Sequence, residues 1–509
     1  MAEISVVNAD QQPVDKAVGE LKASLPAGIY KVRVRVGPTV NENLVSLDQD
    51  RELTIPTLQF PSPIPLNDTS RSHEYHQGAA RQLSATPCDV LGAGASIFVF
   101  SRQWTQGGPE GKLHPTLPNP AIGLRLLDDK ENLLANIEER AVVNALPGYD
   151  ASAGWRANVQ PGPYRLRLEF SDGSEIERAL YVAPRTQTQI FFLLHEQCLP
   201  SGQSEVRADL AGGTISISLT QQFDPADQIV RLKELACYAL TQTRRVLSDS
   251  VRAEIVNEKF TDPMLGILGA HLILRDEPDS DAKAERLRTI ERNLENLLGP
   301  DHPDVRALHL KTGGEQRHNY SLLSPPMLRA SWDLAVDASI NNSSAIPAGS
   351  TSGSIARRVL PTALWLLWRP QDLGAWDDST DRLTNSLKDY LNARRRLESA
   401  KEEARVRSAK EETPAVSAKA EAAISSAVWR PVQNMLRRLA SLAGTATSAE
   451  EPPVQPTSPS PLSLGSDEKG ELSRALGVPA PLLEETLQQL TADTASTPLS
   501  AALPQPLNT

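Results

Sequence analysis

The chain has 509 residues and a formal net charge of −11. That sign disfavours a general nucleic-acid binder, because phosphate binding needs a concentrated positive face. The length exceeds what one hydrophobic core usually supports, so about three domains are expected, and the 39 prolines leave much of the chain for loops and linkers. Cys88, Cys198 and Cys237 stand far apart. They form neither a disulfide framework nor a paired metal knuckle, which fits a reducing, cytoplasmic setting. The N-terminal MAEISVVNADQQPVDK lacks the apolar core of a secretion signal. No apolar run approaches the ~20 residues of a membrane span.

Residues 1–65 read as a first β-sandwich module. Leu25-Pro26-Ala27-Gly28 makes a turn, and 29–36 alternates apolar and basic side chains, the period of a strand with one wet face. Further strands are expected over 44–47 and 52–58. Residues 66–120 read as an irregular connector, with a Gly/Pro-rich loop over 106–120. A second sandwich is expected over 121–222, with the apolar strand 97–100 belonging to it or bridging the two. Within it, 165–170 alternates, 171–174 turns the chain, and 175–182 and 187–194 return as strands. Gly28-Ile29-Tyr30 set against Gly162-Pro163-Tyr164 suggests an internal repeat. Around these residues the chain resembles the PEGA-like and carboxypeptidase-regulatory-like sandwich modules of bacteria. The resemblance implies a non-catalytic binding or spacer module.

Residues 223–370 read as an α-helical domain centred on NEKFTDPMLGILGAHLIL, 257–274. Thr261 or Asp262 serves as N-cap, and Pro263 sits near the first helical position, where its missing N–H costs nothing. Met264, Leu265, Ile267, Leu268, Leu272 and Ile273 give one broad apolar face. Gly266, Gly269 and Ala270 flatten the opposite strip for a neighbouring helix. Further helices are expected over 227–250, 282–298 with Gly299 as C-cap, 301–310, 327–339 and 355–368. The pieces KFTDPMLGILGAHLIL, LLGPDHPDV, SPPMLRASWDLA and IPAGSTSGS together resemble a helical region of large bacterial proteins that also carry caspase-like, trypsin-like or other conflict-system modules. The resemblance implies a regulatory or adaptor role. No recognisable protease module accompanies it here.

Beyond 370 a charged helical arm is expected over 371–443. Leu383, Leu387, Tyr390 and Leu397 have heptad-like spacing, but Arg394 interrupts the seam. A helix over 415–442 combines an apolar stripe including Met435 with Trp429, Arg430, Arg437 and Arg438. Such a helix can lie on an acidic membrane surface or in a partner's groove; packing against the preceding helix competes. Residues 444–465 read as a disordered linker, 466–493 as a small helical hairpin with Leu482, Leu483 and Leu487 on one side, and 494–509 as a disordered tail.

Candidates for bond chemistry are sparse. A Cys/His hydrolase needs a thiolate beside a base, and Cys237 with His271 is the first pairing. Against it, Cys237 falls in an amphipathic helix, where a thiol packs as a small hydrophobe. His271 lies among apolar neighbours. His73 and His76, with Glu74 between them, have a spacing that can place both imidazoles on one helical face. No further ligands complete a metal site, and an exposed polar loop competes. Gly92-Ala93-Gly94-Ala95-Ser96 leads into a strand with no following Lys, so it is a tight turn rather than a phosphate cradle.

The sequence therefore reads as an α+β multidomain chain: two N-terminal β-sandwich modules, an α-helical domain and an extended helical C-terminal arm. The function expected is a non-catalytic scaffold or adaptor in a bacterial stress or defence system. Its partners would be other proteins, with no nucleic acid and no cofactor, and a membrane surface is less favoured. The alternatives are a Cys/His-dependent hydrolase and a membrane-acting protein working through 415–442.

Overall fold

The computed structural model describes residues 3–36, 39–55, 62–66, 74–103, 117–144, 151–199, 202–242, 246–257, 259–313, 320–370, 383–392 and 465–496. The fold is α+β. The chain forms two compact units, Met1–Leu334 with Thr362–Pro370, and Ala335–Pro361 with Gln371–Thr509.

In the first unit, β1 (Glu3–Val7), β2 (Pro13–Val18), β3 (Gly28–Val36) and β4 (Thr39–Leu47) form a four-stranded antiparallel sheet in the order β2-β1-β3-β4. The alternation in β3 has its expected consequence: Tyr30, Val34 and Val36 are buried, while Ile29 and Arg33 are exposed. Among the described residues this region is one sheet, not two layers, and 51–55 holds no strand. β4 begins earlier than the expected 44–47. Its Asn41-Glu42-Asn43 segment has poor strand propensity, but pairing with Val34, Arg33 and Val32 of β3 overrides it.

The stretch expected as an irregular connector holds α1 (Glu74–Ala85), β5 (Asp89–Val90) and β6 (Ala95–Arg102). The inner face of α1 is Ala79, Ala80 and Leu83, too small and faint an apolar period to stand out in the sequence. β5 and β6 join β9 (Val142–Asn144), β10 (Ser152–Val159), β13 (Gln187–Cys198), β14 (Ser204–Ala208) and β15 (Thr214–Ser218) in a seven-stranded sheet. β6 runs parallel to β13 and antiparallel to β10. A five-stranded antiparallel sheet, order β16-β12-β11-β7-β8, combines β7 (Leu124–Asp128), β8 (Leu133–Asn136), β11 (Gly162–Glu169), β12 (Glu175–Val182) and β16 (Leu367–Trp368). The short α2 (Ile137–Arg140) follows β8.

These two sheets stack as a sandwich. Every residue of β6 is buried because both its faces are covered. Phe98 and Phe100 pack on one side with Ala80, Phe191 and Phe223. On the other, Phe192 of β13 lies beneath the Arg178 guanidinium of β12, and Thr188 donates to the Tyr181 carbonyl at 3.0 Å. The repeated Gly-x-Tyr turn is a shared local geometry. The Tyr30 hydroxyl donates to the Pro26 carbonyl at 2.8 Å, and the Tyr164 hydroxyl to the Gln160 carbonyl at 2.7 Å, the same offset in each.

The helical part comprises α3 (Gln228–Thr241), α4 (Asp249–Ile255), α5 (Pro263–Asp276), α6 (Asp281–Leu298), α7 (Pro303–Thr312) and α8 (Arg329–Ser339). α5 packs against α3, α4 and α6 and is buried all round from Pro263 to Ile273. The Asp262 side chain accepts from the Leu265 N–H, with Pro263 in the first turn. The flat strip is used as expected: a Cβ on Gly269 would meet the Ile255 carbonyl oxygen at 2.8 Å, and one on Gly266 the Phe260 ring at 2.2 Å.

Two helix expectations are corrected. Residues 227–250 do not form one helix; α3 stops at Thr241, where Arg275 reaches across from α5 and satisfies the Ala239 and Gln242 carbonyls, at 2.7 and 3.1 Å. Residues 355–368 are not helical beyond the short α9 (Thr351–Ile355). Pro361 lacks the N–H a helix needs. The apolar run after it is instead extended, with Leu366 N–H bonded to the Met327 carbonyl at 2.9 Å and β16 paired with β12.

In the second unit, α10 (383–392), α11 (Ser466–Leu476) and α12 (Ala480–Ser496) share a core of Leu383, Leu387, Leu472, Val478, Leu483 and Leu490. Gly477 ends α11 in the left-handed region at φ 66°, and Val478 N–H bonds back to the Ser473 carbonyl at 3.1 Å.

Candidate functional site

Cys237 lies on the inner face of α3, 6% exposed. Burial pushes its thiol well above the ordinary range, and the nearby Glu234 carboxylate adds to the shift. Glu234 is buried too, its own pKa raised by burial, and accepts from the Ser62 hydroxyl at 2.6 Å. Its neighbour Lys233 donates to Ser216 at 2.5 Å and to Asp262 at 2.7 Å. These groups pin α3 to β15 and to the start of α5. A thiol so placed is the opposite of an activated nucleophile.

His271 does not pair with Cys237. Its Nε2 lies 2.9 Å from the Ser331 hydroxyl, and burial pushes its pKa down to about 4. Ser331 also acts on Asp304, favouring its carboxylate, and Asp304 accepts from the Met327 and Leu328 N–H groups at 3.0 and 3.1 Å. Burial raises the Asp304 pKa, and these bonds oppose the rise. Nearby, His302 is fully buried, 3.8 Å from Asp304, with its ring edge-on to Tyr181. Burial pushes its pKa down to about 3. Serine, histidine and acid thus meet, but the serine sits between the other two and all three are buried. In a hydrolase triad the imidazole occupies the middle and the hydroxyl faces a cleft. The arrangement ties α5, α7 and α8 together. Sequence reasoning missed it because His271 and Ser331 are 60 residues apart.

Of the histidine pair, His73 lies outside the described residues, and Glu74 heads α1. His76 is fully buried on that helix rather than exposed in a loop. Among the described residues no group of three or more His, Cys, Asp or Glu side chains could hold a metal ion. Gly94, at φ 97°, forms the turn into β6.

Trp429, Arg430, Met435, Arg437 and Arg438 all lie outside the described residues. Leu483 is fully buried in the α10–α12 core, and Leu482 and Leu487 pack against it. The leucines proposed for partner contact are therefore occupied within their own unit.

A cleft of about 430 Å³ lies between α4 and α6, lined by Asp249, Arg252, Asn257, Lys259 and Arg286 among others. Arg252 and Arg286 both hold the Glu277 carboxylate, at 3.1 and 2.9 Å. This is an ion-pair network rather than a vacant anion cradle.

Among the described residues, the outer face of the N-terminal sheet groups three exposed apolar side chains on a regular framework. Ile29 is 61% exposed, Leu44 76% and Val40 46%. Between them Glu42 pairs with Arg33 and Lys31. The sequence pointed to this face through the alternation of β3.

No family model, curated protein or solved structure matches the chain. Among the described residues no helix is long and apolar enough to cross a membrane.

Proposed function

We propose that this chain is a non-catalytic scaffold or adaptor for other proteins, working in the bacterial cytoplasm in a stress or defence system. The observation that carries the reading is the outer face of the N-terminal sheet, where Ile29, Val40 and Leu44 stand in solvent beside Lys31 and Arg33. Apolar side chains grouped on a rigid face and rimmed by charge are a common form of protein contact. In this reading the N-terminal sheet and the sandwich of the other two sheets carry the contact surfaces. The raised thiol pKa of Cys237 supports the reading against a Cys/His hydrolase.

Affinity capture from the native host with the full chain and with Ile29→Asp tests it. A defined set of proteins should be retained by the wild type and lost from the variant. The same set on both, or none on either, would count against the proposal.

A further inference from the structure

The two edges of the N-terminal sheet are built differently. β2 begins with Pro13, carries Lys16, and its register against β1 shifts at Val6/Val7. Proline, lysine and bulges are the usual protections of a free edge. β4, at the other edge, has none of them. Its nine residues, TVNENLVSL, contain no Pro, Lys or Arg, and its register with β3 is unbroken from Gly28↔Leu47 to Val36↔Thr39. Among the described residues no strand pairs its far side. Alternate residues of such a strand leave N–H and C=O groups pointing outward, a template for another strand.

The charge on β4 narrows what that strand can be. Glu42 is its single charged residue. A two-fold axis normal to the sheet brings two β4 strands together antiparallel with their outer faces on the same side. Centred on Glu42, it would set two carboxylates opposite one another, which is destabilising. Centred on Asn43, it would set each Glu42 against Leu44. Centred on Leu44, it sets Leu44 against Leu44, Glu42 against Ser46 and Asn43 against Val45. That register meets no like charges and covers the most exposed of the three apolar side chains on this face. We infer that two copies of this chain associate edge to edge through β4, antiparallel and centred on Leu44, joining their N-terminal sheets into one. The inference stands independently of the adaptor reading, since it concerns the purified chain alone.

Sedimentation velocity of the full chain across a wide concentration range tests it. The wild type should show a concentration-dependent dimer. Leu44→Lys should raise the dimer dissociation constant about tenfold or more, because two ammonium groups then face each other. Leu44 is exposed, so matched thermal unfolding should confirm an intact fold. The register has its own readout. In a Cys88→Ser, Cys198→Ser background, Leu44→Cys should form an inter-copy disulfide under mild oxidation, since facing Cα atoms in an antiparallel pair lie ~4.5–5.5 Å apart. Ser46→Cys in the same background should not. A chain that stays monomeric, a dimer indifferent to Leu44→Lys, or cross-linking absent at 44 or equal at 46 would each overturn the inference. So would a monomer that takes up only a foreign strand.

Discussion

His271, His302 and His309 occupy different surroundings, and protons should move stability in opposite directions at them. His309 on α7 is clasped between Glu291 and Glu295 of α6, with its Nε2 2.6 Å from Glu295 and its ring stacked on Tyr320 at 4.5 Å. Burial works to lower its pKa, but the bonds and charges of the two glutamates prevail and raise it. Its stabilisation is therefore complete below the unfolded-state value of ~6.5 and is lost as pH rises through the higher folded value. His271 and His302, pushed down to about 4 and about 3, act the other way. Their contribution is present above ~6.5 and is lost as pH falls toward those values. Urea unfolding midpoints across pH should show both flanks, with His309→Gln flattening the alkaline flank and His302→Phe the acid one. The cysteines make a second prediction: a thiol probe should label exposed Cys88 and Cys198 in the native chain, and Cys237 only after unfolding. Selective labelling of Cys237 in the native state would revive the hydrolase. At this scale the sequence was informative about burial. Apolar neighbours marked His271 as a core group and Cys237 as a packed thiol. The hydrogen-bond partners Ser331 and Asp304 were invisible, because only the tertiary fold brings distant segments together.

Among elements, α5 and β16 mark the two extremes of legibility. α5 carries its own punctuation, an Asp262 cap, Pro263 and a glycine strip, so its position followed from local rules. Its glycines are closely met, and Gly269→Ala or Gly266→Ala should destabilise by about 1–3 kcal/mol through overpacking, as read from denaturant midpoints. Before β16, Pro361 argues against a helix across 355–368, but nothing local names a strand partner. Two tryptophans in a short apolar run fit a helix or a strand equally well, and the partner strand that decides between them is far away in sequence. In the fold Trp368 is fully buried and donates to the buried Glu177 carboxylate at 2.7 Å, beside Arg167 at 2.6 Å. Trp368→Ala should cost about 3–5 kcal/mol, measured by the same method. Nearby, Trp365 lies against the Arg178 guanidinium at 4.3 Å, whose pKa burial pushes down to about 9.

For the whole molecule, the two units predict separable unfolding. Leu483→Ala should remove about 2–5 kcal/mol from the helical core it shares with Leu387 and Leu472, lowering one calorimetric transition and sparing the other. A single cooperative transition shifted as a whole would contradict that. The α+β class followed from the change of period along the chain, from alternation in the first part to helical stripes after it. The extent of the sandwich did not, because its strands start at Asp89 and end with Leu367–Trp368.

That last strand has a consequence for synthesis. Trp368 reaches its place against Glu177 only after a further 191 residues have been made. The sandwich therefore emerges from the ribosome unfinished, with an acid and a neighbouring arginine awaiting an indole that has not yet been translated. Nascent chains arrested before Trp365 should remain protease-sensitive across β12, and those extended far enough past Pro370 for Trp368 to clear the exit tunnel should become resistant.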